Sequence, residues 1–125
     1  MKHRSKQPEG QRQLRVGEEI RHVISSVLQH GGFDDPALMN SSLITCTQVK
    51  ISPDLKNATV FIMPLGGHHL KEILAALNEQ AWFFQREIGR NMKMKFTPRL
   101  TFKGDETFGE AEKIDRILKQ IHHEQ

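Results

Sequence analysis

The sequence predicts an α+β domain of two layers, with helices packed on one face of a small sheet. Three observations predict it. The block Ser52-Pro53-Asp54-Leu55-Lys56-Asn57-Ala58-Thr59-Val60-Phe61 joins two β-type runs through a tight polar connection. On either side of those runs, apolar residues recur at three- and four-residue steps. The resulting order is α-β-β-α-α-β-α, with no internal repeat and no low-complexity run. At 125 residues the chain is expected to bury one core without disulfides or metal.

Each element has a local reason. Residues 1–11 are charged and polar, with Pro8 and Gly10 and nothing to bury, and are expected to form a flexible basic tail. A helix over 11–30 places Val16, Ile20, Val23, Ile24, Val27 and Leu28 on one face, and Gly31-Gly32 stops it. A loop over 31–42 contains Asp34, Asp35 and Pro36. Strands over 43–51 and 57–63 are rich in Val, Ile, Thr and Phe. Ser52, Pro53 and Asp54 suit the turn between them, and Pro64 with Gly66-Gly67 ends the second. Helical spacing then runs from 68 to 95 through Leu70, Ile73, Leu74, Leu77, Ala81, Phe84, Ile88 and Met92. That length exceeds the usual helix, so a break is expected near 80–83 or at Gly89. Thr97-Pro98 ends it, and 100–103 reads as a third strand. Thr107 and Glu110 have capping-box spacing before a last helix carrying Ile114, Ile117, Leu118 and Ile121. The domain is thus expected over 12–121, with 122–125 as a tail.

Composition narrows the function. A single cysteine, Cys46, permits no disulfide within the chain and fits a reducing compartment. No run approaches a membrane span, and the basic N-terminus is not followed by an apolar segment, so a cytoplasmic protein is expected. Net charge is +3, unevenly spread. Residues 1–25 hold six Lys/Arg against three Glu, and 70–103 hold seven against three. From 104 to the end, six acids face three Lys/Arg. Such a chain is able to present a basic face to a polyanion.

Catalytic chemistry finds little footing. Cys46 sits between Thr45 and Thr47 in a strand, with no helix N-terminus to lower its pKa, and reads as buried and inert. His68-His69 and His122-His123 are adjacent pairs whose rings diverge by about 100° on a helix, so neither supplies two ligands to one ion. Asp34-Asp35 and Asp105-Glu106 read as loop or capping acids, and Gly66-Gly67 lacks a following Gly-Lys-Ser/Thr. No cofactor and no enzyme activity are expected. The better candidate is electrostatic. Arg86, Arg90 and Lys93 fall at i, i+4 and i+7, a stripe opposite Leu77, Phe84 and Ile88 that Lys95 and Arg99 extend. Trp82 falls on the polar side of the same wheel, where it suits base stacking. We read it instead as a core residue re-aimed by the expected break.

Four stretches carry a family resemblance. They are Arg12-x-x-Arg15-Val16-x-Glu18, Asp35-Pro36-x-Leu38, Val49-x-Ile51-Ser52-x-Asp54-Leu55-x-x-Ala58-x-Val60-Phe61-Ile62 and Pro98-x-Leu100-x-Phe102-x-x-Asp105. In that order and spacing, over about residues 12–118, the chain resembles the bacterial ribosome-binding factor A family. Where the family's kinked helix pair carries Ala-x-Gly, this chain has Gln80-Ala81-Trp82, and Arg99 stands where an acid is usual.

The resemblance implies a type II KH-like fold without the GxxG loop. It also implies a non-enzymatic factor that binds the immature small (30S) ribosomal subunit. Such a factor assists late 16S rRNA maturation near the 5′ end, notably in the cold, and leaves with the help of an assembly GTPase. A monomer when free is expected. Candidate RNA contacts are Arg86, Arg90, Lys93 and Lys95, then Arg12, Arg15, Lys50 and Lys56. The other reading of the same residues is a protein–protein adaptor in ribosome assembly that does not touch RNA.

Overall fold

The computed structural model describes residues 10–105. The expected capping box, last helix and 122–125 tail lie outside the described residues, as do residues 1–9. Within them the order is α1 (Gln11–His30), β1 (Ile44–Ile51), β2 (Asn57–Pro64), α2 (Leu70–Glu79), α3 (Ala81–Asn91) and β3 (Arg99–Gly104). Single 3-10 turns occupy Pro36–Leu38, Ser41–Leu43 and Leu65–Gly67.

The sheet order is β1-β2-β3. β1 and β2 pair antiparallel from Ile44↔Pro64 to Ile51↔Ala58. β2 and β3 pair parallel from Asn57↔Arg99 to Ile62↔Gly104. Parallel neighbours need a crossover, and α2 and α3 supply it. α1 lies over β1, while α2 and α3 lie over β3. All three cover one face, where Cys46, Val49, Ile51, Val60, Ile62, Leu100 and Phe102 meet Ile20, Ile24, Leu28, Leu77, Phe84 and Ile88.

The turn between β1 and β2 is built by side chains. Ser52 Oγ donates to Asp54 Oδ1 at 2.6 Å, and the Lys56 N–H donates to the same oxygen at 2.9 Å. The Asn57 N–H donates to Ser52 Oγ at 3.0 Å. These bonds hold the turn while Leu55 adopts a left-handed φ of 61°. That conformation costs about 1–2 kcal/mol for a residue with a Cβ. Leu55 packs against the core from there.

β1 is not a regular strand. Its register shifts between Cys46 and Gln48, so Thr47 is an extra residue. The bulge explains why the buried positions run Ile44, Cys46, Val49, Ile51 rather than in strict alternation. Thr47 Oγ1 donates to Asp105 Oδ2 at 2.5 Å, which ties the bulge to the end of β3. On β3, Asn78 stands in for a neighbouring strand: the Phe102 N–H donates to its Oδ1 at 2.9 Å, and its Nδ2 donates to the Phe102 carbonyl at 3.2 Å.

The 68–95 stretch departs from one long helix in three ways. His69 takes a left-handed φ of 59° and delays the start to Leu70. The break falls at Gln80, at the first of the two expected places, with φ −93° and ψ 12°. Gly89 lies inside α3. The helix then ends at Asn91, so Lys93 and Lys95 lie beyond it. At the break the Gln80 N–H donates to the Ala76 carbonyl at 3.1 Å, and its carbonyl accepts from the Phe83 N–H at 2.9 Å. One residue thus ends α2 and starts α3.

Candidate nucleic-acid interface

Five of the eight candidate basic residues surround one groove of about 900 Å3. Arg12 and Arg15 come from the first turns of α1, Lys56 from the β1–β2 turn, and Lys93 and Lys95 from the segment after α3. Local chemistry puts each there. Gln13 anchors the start of α1 by donating from Nε2 to the Ile51 carbonyl at 2.7 Å, and its Oε1 accepts from the Gly10 N–H at 3.1 Å. The Ser52–Asp54 bonds fix the turn that presents Lys56. The Met92 N–H donates to the Ile88 carbonyl at 2.9 Å and closes α3. The chain then turns toward the Lys56 carbonyl, which accepts from the Arg99 N–H at 2.8 Å.

Two acids also line the groove, Glu19 and Asp54. Hydrogen bonds from Ser52 and the Lys56 N–H hold the Asp54 carboxyl below its ordinary pKa, so it stays ionised and occupied in the turn. Among the described residues none of the five cations is held in an ion pair. The floor is apolar, with Val16, Leu55, Met92 and Met94. Phe96 stands 67% exposed at the rim, with Lys95 Nζ 5.7 Å from its ring centroid. Cations around an apolar floor with an exposed ring suit phosphates and unstacked bases.

The other three candidates lie elsewhere. Arg86 and Arg90 project from the outer side of α3, and both approach Glu87, at 4.0 and 3.4 Å. Lys50 lies on the sheet face that the helices leave open, beside Gln48, Phe61 and Lys103. The expected single stripe of Arg86, Arg90 and Lys93 is therefore corrected. α3 ends at Asn91, so helical spacing does not carry the row to Lys93. Trp82 is corrected too: it is 58% exposed and not a core residue. Phe84 and Ile88 point inward, and a residue two before Phe84 faces about 200° away.

Sequence reading passed over Phe96. The run Lys93-Met94-Lys95-Phe96, cations alternating with apolar residues just after a helix, was the available signal. Cys46 behaves as expected: buried, with its pKa pushed up to about 12 by desolvation, it remains a thiol. His68 and His69 line an apolar groove with Leu43, Leu65 and Ile73. Among the described residues no three His, Cys, Asp or Glu side chains cluster as for a metal ion. Nor is any helix among them long and apolar enough to cross a membrane.

Comparison with known proteins bears on this geometry. The family model described as ribosome-binding factor A matches residues 12–118. A ribosome-binding factor A of Paramagnetospirillum magneticum is 49% identical over 115 residues, covering 92% of this chain and 80% of the relative. The crystal structure of ribosome-binding factor A from Thermus thermophilus superposes with a TM-score of 0.63 at 21% identity, covering 74% of this chain and 94% of that one. Coordinates of the Thermus thermophilus factor fitted into a map of a 30S complex match with a TM-score of 0.57 at 20% identity, over 72% and 91% of the two chains. The match over residues 12–118, joined to a relative 49% identical and the same fold, means that this chain belongs to the ribosome-binding factor A family.

Proposed function

We propose that this chain binds the immature small ribosomal subunit by gripping 16S rRNA in the groove of Arg12, Arg15, Lys56, Lys93 and Lys95. It assists late maturation near the 5′ end without catalysing a reaction. The observation that carries this reading is the convergence of cations from three separate segments on one groove, none of them in an ion pair among the described residues. Family membership supports the partner, as does the relative fitted into a 30S complex. Binding shifts rRNA populations only by differing in affinity between immature and mature arrangements. Its effect is greatest in the cold, where mispaired RNA escapes slowly. The chain acts as a cytoplasmic monomer and leaves the finished subunit with the help of an assembly GTPase.

Cosedimentation with purified small subunits, against large subunits as control, tests the reading. Wild type is expected to pellet with small subunits at low salt and to be released as salt rises. The double reversal Lys93→Glu/Lys95→Glu is expected to lose pelleting while keeping the wild-type melting temperature. Equal pelleting with both subunits, or unchanged pelleting of the variant, overturns it.

One observation favours the adaptor reading. At the opposite end of the β1–β2 hairpin lies an apolar groove of about 450 Å3, with Leu43 and Leu65 exposed at its edge. If association with assembly intermediates survives complete RNA digestion, that groove and not the basic one carries the interaction.

A further inference from the structure

The elbow at Gln80 exposes an aromatic surface that the basic groove does not use. Trp82, at the start of α3, is 58% exposed. An indole that is not buried makes little contribution to the core, yet this one is held in place. The Phe83 ring meets it edge-on, with centroids 5.9 Å apart and planes at 76°. The Arg86 guanidinium lies 5.6 Å from the indole centroid and 5.2 Å from the Phe83 centroid. Phe83 is fixed in turn by Phe33, whose ring it meets at 5.9 Å and 83°. Phe33 stacks on the buried Phe84 at 5.7 Å. A chain of ring contacts therefore runs from the core to the exposed indole.

Spacing adds direction. Trp82, Arg86 and Arg90 fall at i, i+4 and i+8, so they line the outer side of α3 as one row. The row ends beside Asn91 and Met92, which line the basic groove. Eight residues of helix span about 12 Å, which two to three nucleotides of extended strand can follow. Glu87 approaches both arginines and tempers the row to a net charge of +1. The charge thus suits a single strand passing along it better than a tightly clamped duplex.

We propose that Trp82, with Arg86 beside it, is a stacking platform for an unpaired base of a single-stranded RNA segment whose backbone leaves the basic groove along α3. This inference rests on the groove as the RNA site and names the class of RNA that the groove takes. Stacking is the favoured use because every base has a π face, and the Arg86 guanidinium adds a charge for the adjoining phosphate.

Trp82 is the only tryptophan in the chain, so its fluorescence reports on this site alone. The test titrates the full chain with a 12-nucleotide single-stranded ribo-oligonucleotide and with a 12-base-pair RNA duplex at low salt. Fluorescence and anisotropy of a labelled oligonucleotide are followed together. The single strand is expected to quench Trp82 and the duplex to leave it unchanged. Trp82→Ala should weaken single-strand binding roughly 5- to 150-fold, the usual range for losing one stacked base. Trp82→Phe should recover most of that affinity, and both variants should melt as wild type does.

Single-strand binding that depends on Lys93 and Lys95 but leaves Trp82 unquenched, with Trp82→Ala at wild-type affinity, overturns the platform and spares the groove. No binding by wild type at any salt overturns both. A fluorescence change that follows protein concentration without RNA assigns the indole to self-association, and that also overturns the platform.

Discussion

Asp54 shows how one side chain serves two purposes. It shapes the hairpin and, ionised, sits on the rim of a basic groove. Its carboxyl is held below the ordinary pKa by the Ser52 hydroxyl first and the Lys56 N–H second. A group whose folded pKa is depressed contributes stability above its unfolded pKa and loses it as pH falls through the folded value. Asp54→Ala should therefore lower the melting temperature at neutral pH. The gap from wild type should close as pH drops below about 4, the ordinary aspartate range. Thermal melts of both proteins across that window check this; a constant gap would show that the turn does not depend on the charge. The role of Asp54 was legible because Ser-Pro-Asp is local turn chemistry. The left-handed Leu55 was not, because its conformation follows from the bonds around it and from the core it reaches.

At the scale of elements, close approach matters more than propensity. A Cβ built on Gly17 would lie 2.7 Å from the Val49 carbonyl oxygen, a backbone atom that cannot swing aside. α1 thus rests on β1 backbone to side-chain-free backbone, at the strand position just past the bulge. Gly17→Ala favours the helix by about 0.5–1 kcal/mol, but the overpacking costs typically 1–3 kcal/mol. The clash should win, so denaturant titration should show a less stable variant. Greater stability would mean that α1 is able to shift. Sequence periodicity found α1 but passed over this glycine, since a glycine inside an amphipathic pattern looks the same whether it is tolerated or required. The bulge at Thr47 was hidden for a similar reason. Gln48 breaks the alternation in β1, and only the pairing with β2 shows that an inserted residue restores it.

Across the whole molecule the consequential event is assembly of the groove. α1, the hairpin turn and the segment after α3 are far apart in sequence and meet at one end of the sheet. If all five cations contact phosphates of a single strand, the logarithm of the binding constant should fall with the logarithm of salt at a slope of about −3.5. Removing Lys93 and Lys95 together should flatten that slope by about 1.4. Binding measured by anisotropy from low to moderate salt checks both. A slope near zero would make the groove a solvated surface.

Among the described residues, the sequence by itself determined the kinds of elements, their order and which side of each is buried. Those properties come from periodicity, capping and turn residues acting over a few positions. It also called for a break in the 68–95 stretch, because the apolar stripe ran longer than one helix is able to serve in so small a domain, but it offered two places, and the structure takes the one at Gln80. Only the tertiary structure decided which cations are neighbours. Arg12, Lys56 and Lys95 are joined by packing of α1 on β1 and by the parallel return of β3 beside β2, and no local pattern encodes those distances. Trp82 is the opposite case: the wheel drawn through the whole stretch put it on the polar side, with Phe84 and Ile88 inward, and it is exposed there. The break at Gln80 bends the backbone without turning that side chain into the core, because α3 keeps Phe84 and Ile88 as its inward face, and only the packed structure decided that.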